Sequence, residues 1–278
     1  PEQCQWRLQD KSLIKLGMGT ESALKLALDQ PLPGKSIFYN CDDDQQLILE
    51  QIEASKCQVI SCLRNCFHPN VINVIGTFEE SGISYCVAEY AKGCSLSQLI
   101  RDSGLDDLRI VQSFKQIINA VHTLHGIGVI CKDLKPDTIV IDREKKVKLT
   151  GIHSVELINS NTLSHTKEYA APELLKEGKY DTKYDIWSLG VILYEMCTGV
   201  LPFKDTDSPM QPIPSSVHPI FVKLITKMLE PSPSKRPTAE DVQNILLSGI
   251  KNLADSKRWI VKQGRLEYSS LHDVEHFK

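Results

Sequence analysis

The chain has 278 residues, of which 41% are hydrophobic and 24% are charged, proportions that are ordinary for a folded globular protein. This length allows one or two domains with a sizeable core. The net charge of −3 gives no general attraction to nucleic acid or to an anionic membrane. No apolar run approaches the roughly 18 residues of a membrane span. We therefore expect no membrane partner, and nucleic acid is a poor candidate partner for this chain.

The ends of the chain and its cysteines indicate its context. It begins at Pro1 rather than at a methionine, which favours a segment of a longer, multidomain protein. Its nine cysteines are an odd number and form no C-x-x-C pair, so reduced thiols in an intracellular, cytoplasmic protein fit best. Cys57, Cys62 and Cys66 crowd one predicted helix, where small buried residues are favoured over a metal site.

The part of the chain up to Glu89 reads mainly as β-structure. Strands are predicted over residues 12–16, 22–28, 36–41, 71–78 and 83–89. Three aspartates at residues 42–44 favour the start of a helix. Apolar residues then recur at helical spacing, at Ile48, Ile52, Val59, Leu63 and Cys66. The pattern predicts one long helix, buried on one face, that ends at His68.

Beyond a short connector at residues 91–94, the chain reads mainly as helical. Helices are predicted over residues 105–125, 184–197, 220–229 and 239–247, and short strands over 138–142 and 146–150. The helix at 184–197 is apolar nearly all round, so it should be buried, and Gly199 should cap its end. Strands followed by helices indicate two unequal lobes with a ligand site between them.

Four short motifs stand in a fixed order between residues 131 and 237. Residues 131–138 read CKDLKPDT, residues 169–173 read YAAPE, residues 185–190 read DIWSLG, and residues 236–237 read RP. They match the HRDLKPEN loop, the end of the activation segment, the central-helix motif and the late arginine of the eukaryotic protein kinases. The sequence therefore resembles that family, of the serine/threonine type, over residues 10–250.

The resemblance implies an α+β, bilobal kinase-like fold. We expect a small β-rich lobe with one long helix over residues 10–88, a hinge over 89–94, a larger helical lobe over 95–250 and a C-terminal extension over 251–278. The resemblance also implies an ion pair between Glu173 and Arg236, and hydrogen bonds from the catalytic-loop backbone to Asp185. Removing one partner of such a buried pair costs roughly 3–5 kcal/mol.

The loop at residues 131–138 keeps part of the machinery for phosphoryl transfer that the resemblance implies. Asp133 stands where the family has its proton acceptor, and Lys135 where a lysine steadies the transferred phosphate. Lys132 replaces an arginine that often docks a phosphate of the activation segment, and lysine keeps the charge but loses the bidentate fork. We expect Asp133 and Lys135 to remain in place as vestiges of catalysis.

Both magnesium-binding positions of the family are changed. Thr138 replaces an asparagine, and Gly151 replaces the aspartate of the Asp-Phe-Gly sequence, which here reads Gly-Ile-His. Asp137 is one position away and should point differently. A lone histidine such as His153 is more often structural or solvated than a metal ligand. We therefore expect no metal site.

The small lobe lacks the pair that grips the phosphates in the family. Counted from the turn before the third strand, Asn40 takes the place of the lysine. Val59 takes the place of the helix glutamate that orients this lysine, and Glu53 lies too early to substitute. The two changes agree, because a buried glutamate without its lysine would be an unpaired charge. An ordinary core valine at position 59 is compatible with the same interpretation.

The resemblance still outlines a nucleotide cleft, in degenerate form. Gly17 and Gly19 are weak evidence for a phosphate-covering loop and fit a plain turn about as well. Phe38 would occupy part of the adenine site, whereas the small Ala88 before the hinge would reopen space behind it. The residues expected to line the cleft are Leu16, Gly17, Gly19, Leu24, Asn40, Glu89, Ala91 and Val140. No cofactor is required, and weak, metal-independent ATP binding is left open.

Three segments offer other surfaces. Residues 151–173 are rich in serine and threonine and form either a solvated loop or a phosphorylation switch, with Thr166 facing the catalytic aspartate. Residues 207–214 contain three prolines, so a docking helix of related kinases should be reduced there. Residues 257–265 are basic and aromatic; they contact a partner or RNA or, as we favour, form a helix that packs Trp259 on the large lobe.

These observations predict a pseudokinase domain, in which a kinase fold acts as a regulatory scaffold that binds another protein. One alternative is a weak or atypical serine/threonine kinase that uses Asp133 and Lys135. Another is a switch that binds ATP without hydrolysing it.

Overall fold

The computed structural model describes residues 5–9, 13–18, 20–26, 35–40, 46–80, 83–151, 155–157, 166–177, 181–205, 208–255, 259–262 and 265–268. Strands dominate the chain up to Glu89 and helices dominate the rest, which confirms the predicted bilobal α+β fold. Among these residues, no helix has the length and the apolar character needed to span a membrane.

The small lobe is built on one antiparallel sheet, to which seven strands of the described residues contribute in the order β1-β2-β3-β4-β5-β7-β6. These strands are Gln5–Gln9 (β1), Leu13–Met18 (β2), Thr20–Leu26 (β3), Lys35–Asn40 (β4), Gln46–Ile52 (β5), Val74–Glu80 (β6) and Ile83–Glu89 (β7). One short helix, Cys57–Arg64 (α1), follows β5 and buries Val59, Ile60 and Leu63 in the core.

Strand β5 corrects the predicted long helix over residues 42–68. Its residues Gln46–Ile52 pair with β4 on one side and with β7 on the other. Ile48 and Ile52 are four residues apart, and that spacing places two side chains on one face of a helix and also on one face of a strand. The apolar pattern alone was therefore ambiguous, and pairing within the sheet decides in favour of a strand.

The large lobe contains the remaining helices of the described residues. They are Leu96–Ser103 (α2), Asp107–Gly126 (α3), Pro172–Glu177 (α4), Thr182–Thr198 (α5), Pro219–Met228 (α6) and Ala239–Asp255 (α7). Helix α5 is buried along almost its whole length, as predicted. The Asp181 carboxylate caps its first turn, and Gly199 ends it in the left-handed conformation at φ 76°.

Short strands lie before, between and after these helices. They are Cys94–Ser95 (β8), Val129–Ile130 (β9), Ile139–Ile141 (β10), Val147–Leu149 (β11), Glu156–Leu157 (β12), Trp259–Lys262 (β13) and Arg265–Tyr268 (β14). Strands β13 and β14 form an antiparallel hairpin, so the helix predicted around Trp259 is wrong. The segment 208–217 contains no helix, in agreement with the predicted loss of a docking helix there.

The ion pair predicted for the large lobe is present. The Arg236 guanidinium donates to both carboxylate oxygens of Glu173, at 2.6 and 2.7 Å, and lies 4.9 Å from the centre of the Trp187 ring. Arg236 is only 2% exposed, and its remaining donors bond to backbone carbonyls. A fully bonded bidentate pair of this kind fixes the end of the activation segment against α5.

The connector between the lobes depends on a glycine. Gly93 has φ +155°, and a Cβ atom there would stand 2.3 Å from the carbonyl oxygen of Ile141. This close approach lets β8 pair with β10, so that the connector lies directly on the large lobe. The close approach of Gly93 to Ile141 therefore helps to fix the position of the connector.

We expect Gly93→Ala to lower the free energy of unfolding, because the added methyl group meets backbone atoms that have no rotamer to relax. Gly126→Ala is the matched control, since nothing lies within 4 Å of a Cβ at that position of α3. It should be neutral or stabilise by roughly 0.5–1 kcal/mol. Urea unfolding of both variants checks the difference, and equal behaviour would contradict this account of the connector.

Candidate active site

The loop between β9 and β10 is anchored from below by a buried carboxylate. Asp185 on α5 accepts hydrogen bonds from the backbone N–H groups of Cys131 and Lys132, at 2.8 and 3.0 Å. His125 at the end of α3 lies 2.8 Å from the same carboxylate, which is 0% exposed. This confirms the contact that the resemblance implied, and it places the loop at the bottom of the cleft.

Asp133 and Lys135 lie together with Thr166, as the sequence predicted. The Lys135 ammonium is 2.7 Å from Asp133 Oδ2 and 2.6 Å from Thr166 Oγ1. The Thr166 backbone N–H donates to Asp133 Oδ1 at 2.7 Å. Both oxygens of the aspartate are therefore already bonded within the protein, and the activation segment is tied to the loop through them.

These contacts keep Asp133 ionised. Burial raises its pKa, but hydrogen bonds from Lys135 and Thr166 and the positive charge of Lys135 outweigh burial, so the pKa is lowered overall. A carboxylate stabilised in this way is a weak proton acceptor. It is well suited to holding a backbone N–H and an ammonium in place.

Thr138 uses its polar groups within the loop itself. Its hydroxyl donates to the carbonyl oxygen of Lys135 at 3.0 Å, and its own carbonyl oxygen accepts from the backbone and the hydroxyl of Thr150, at 2.9 and 3.1 Å. The residue is buried at 9% exposure. At the position where the resemblance implied a metal ligand, the Thr138 hydroxyl thus forms a hydrogen bond within the turn.

The described residues around Gly151 do not fit a magnesium ion. A cavity of about 20 Å³ adjoins Gly151, and among its lining residues only Asp133 and Thr138 bear side-chain oxygens. Asp137 is exposed, and its charge acts on Tyr169 and Glu195 instead. Magnesium prefers six oxygen ligands, several of them water, and at least one or two carboxylates. No cluster of three or more metal-ligating side chains occurs among the described residues, and His153 lies outside them.

The sheet order offers a second candidate, beside Asn40, for the position of the missing lysine. The resemblance places that lysine on the strand that leads into the helix, and this strand is β5, whose residue Glu50 lies opposite Cys86 of β7. Asn40 is on β4, one strand further from the hinge. Leu47 to Glu50 repeat the apolar triplet of the V-A-I-K motif with an acid at its end. Glu50 and Asn40 are thus the two candidates for that position, and neither is a lysine.

Glu50 is buried at 6% exposure on the core side of the sheet. Its neighbours on the same face are Ile52 and, across the strand pair, Cys86, which both belong to the main core cluster. Burial of the Cys86 thiol raises its pKa to about 12, and the negative charge of Glu50 adds to this rise. Glu50 thus places a buried carboxylate next to the Cys86 thiol.

The sheet order also offers a second candidate for the residue expected above the adenine position. Phe38 lies on β4, whereas Ile48 of β5 is paired directly with Ala88 of β7, next to the hinge. Ile48 packs against the core cluster, and Ala88 is 0% exposed. The larger, branched Ile48 therefore lies opposite the small Ala88 in the strand pair. Val59 is a core residue of α1 at 2% exposure, as its apolar character predicted.

The predicted cleft residues fall into two groups. Leu16, Gly17, Leu24 and Asn40 lie on β2, β3 and β4, and Gly19 lies outside the described residues. Glu89, Ala91 and Val140 lie at the hinge and on β10. Strand β5 lies between β4 and β7 in the sheet, and the joint lining of a nucleotide cleft by the two groups stays a prediction.

The hinge is closed by contacts that sequence reasoning did not anticipate. The Glu89 carboxylate forms an ion pair with Lys148 on β11 and accepts from the Asn73 backbone N–H at 3.2 Å. The Glu89 N–H donates to the Asn73 carbonyl at 2.9 Å. Nothing in the local sequence marks Lys148 as a partner of Glu89, because the two are far apart along the chain.

Comparison with known proteins agrees with the geometry of the loop and the lobes. The protein kinase domain family matches residues 15–246. Hormonally up-regulated neu tumor-associated kinase of Mus musculus is 33% identical over 193 residues, which cover 62% of this chain and 27% of that protein. CBL-interacting serine/threonine-protein kinase 19 of Arabidopsis thaliana is 30% identical over 246 residues, which cover 82% of this chain and 50% of that protein.

The chain spans between about a quarter and half of the length of these relatives. The family match nevertheless covers both lobes, the loop with Asp133 and the pair of Glu173 and Arg236. This chain belongs to the protein kinase domain family.

Proposed function

We propose that this kinase domain is a pseudokinase, impaired in Mg-ATP phosphoryl transfer, that acts as a protein-binding, regulatory scaffold in an intracellular protein. One observation carries the proposal. At the two positions where the family binds magnesium, the chain offers a threonine whose hydroxyl is bonded to Lys135 and a glycine without a side chain.

Phosphoryl transfer depends on holding the phosphates and neutralising their charge. Removing one preorganised charge-stabilising group typically lowers the rate by about 10²–10³. Such losses do not add simply, but here they affect both magnesium positions and the lysine position of the small lobe. The acid Glu50 adds a charge of the wrong sign on the strand that leads into α1.

The retained residues support a structural function. Arg236 and Asp185 are fully bonded and hold the large lobe in kinase form. Asp133 and Lys135 bond to Thr166 and so position the activation segment. A rigid kinase-shaped surface is what a protein partner would recognise, whereas a base without a positioned phosphate has nothing to act on.

A weak serine/threonine kinase is the enzymatic alternative. The contact of Lys135 with Asp133 favours it, because these groups would touch the hydroxyl nucleophile and the transferred phosphate in the family. A switch that binds ATP without hydrolysing it is the other alternative. It is favoured by the small Ala88 beside the hinge and by the partly exposed Ala91.

We expect magnesium to add nothing to any stabilisation of the domain by ATP. A ligand that binds only the folded state stabilises it and so raises the melting temperature. At a ligand concentration of a hundred times its Kd, the free energy of unfolding rises by about 2.7 kcal/mol. Thermal melting with ATP alone, with magnesium alone and with both checks this. A rise that needs both would overturn the proposal, and a rise with ATP alone would support the switch.

The variant carrying Thr138→Asn and Gly151→Asp is the matched control for that experiment. It restores both family ligands and leaves Glu50 unchanged. We expect it to gain a magnesium-dependent rise with ATP that the natural chain lacks. If the natural chain and the variant respond alike, the missing ligands are not the cause of the impairment.

Transfer of radiolabelled phosphate separates the scaffold from the weak kinase. We expect no incorporation above background, either into the chain or into a basic protein substrate. Asp133→Asn is the control, because it removes the carboxylate and keeps the size of the side chain. Incorporation that disappears in Asp133→Asn would establish the enzymatic alternative.

The anchoring role of Asp133 predicts a pH dependence of stability. Its folded-state pKa is lowered, so the stability that it contributes is present above its ordinary value of 3.8 and is lost as the pH falls through the lower folded value. Asp133→Asn should therefore be less stable than the natural chain at about pH 7, and the difference should shrink towards about pH 3. Urea unfolding at the two pH values measures this.

A further inference from the structure

Three buried charged side chains link the two lobes behind the loop of Asp133. Lys56 immediately precedes α1 in the small lobe, Lys132 lies in the loop, and Glu156 is on β12, five residues beyond Gly151. Their exposures are 7%, 1% and 7%. Buried charges at such low exposure are stable only when they are paired.

One carboxylate oxygen serves both lysines. Lys56 Nζ forms an ion pair with Glu156 Oε1 and also donates to the Val155 carbonyl oxygen at 3.1 Å. Lys132 Nζ lies 3.8 Å from the same Oε1. The small lobe and the loop therefore each contribute a cation to a single acid of the activation segment.

The backbone around this cluster is fixed from several sides. Lys132 has the left-handed value φ 59°, uncommon for a residue with a side chain, and its N–H is held by Asp185. Glu156 pairs in strand register with Ile130 of β9. Burial lowers the pKa of Lys132, and the charge of Glu156 acts against that effect, together with the acids Glu53 and Asp133.

We propose that Glu156 is a permanent counter-charge that locks α1 and the start of the activation segment onto the loop without phosphorylation. Lys132 replaces the arginine that docks a phosphate in many relatives, and here its ammonium already lies against a carboxylate built into the chain. The surface formed by α1 and the segment is then always presented in one conformation. This inference holds whether or not the domain transfers phosphate.

Hydrogen exchange of the 278-residue chain tests the lock. Glu156→Gln keeps the shape of the side chain and removes its charge, leaving Lys56 and Lys132 without their common acid. We expect amide exchange in residues 57–64 and 129–133 to rise by at least about tenfold. Glu144→Gln is the control, since the pair of Glu144 with Lys146 is exposed at 72% and 67%, and its exchange should stay unchanged.

Lys56→Met provides a second, milder variant in case Glu156→Gln fails to fold. It removes the cation of the small lobe and leaves Lys132 paired with Glu156. Exchange should then rise in residues 57–64 and not in 129–133. Unchanged exchange of α1 in Lys56→Met would overturn the proposal.

A phosphatase treatment of the natural chain completes the test. If Glu156 is the counter-charge, exchange of α1 is the same before and after treatment. Loosening of α1 by phosphatase alone would show that a phosphate holds the segment, and the proposal would be wrong.

Discussion

The buried carboxylate of Asp185 is the contact on which the functional region depends. It comes from the helix at the centre of the large lobe and receives the backbone N–H groups of Cys131 and Lys132, and it contacts His125. Because this carboxylate is completely buried, losing these bonds would leave it unsatisfied and away from water, at a large cost in free energy. The loop is thus fixed to the buried central helix, and Asp133, Lys135 and Lys132 take their positions from it.

The substitutions at the cleft leave this framework intact because each one is satisfied where it stands. The Thr138 hydroxyl bonds within its own turn, Gly151 introduces no polar group, and Val59 packs in the core. A buried polar group without a partner would have destabilised the lobe. The domain can therefore keep the shape of a kinase around these three residues.

Much of the large lobe followed from its sequence, and less of the small lobe did. Helix α5 and the bonds of Glu173 and Asp185 were predictable because a long apolar helix and a family motif leave little choice. The strand over residues 46–52 was not predictable, since the four-residue spacing of Ile48 and Ile52 suits a helix and a strand equally. Only pairing with β7 decides in favour of the strand. The strand therefore adds Glu50 to Asn40 as a candidate for the lysine position. The link between Lys56 and Glu156 joins residues a hundred positions apart, and no local pattern encodes it.

The contacts of Asp133 bear on how this chain can evolve. Both carboxylate oxygens hold neighbouring groups, so replacing the residue would loosen the activation segment even in a protein that never transfers phosphate. Selection for folding alone is then enough to preserve it. An aspartate at this position therefore has a structural reason to be present that is independent of enzymatic turnover.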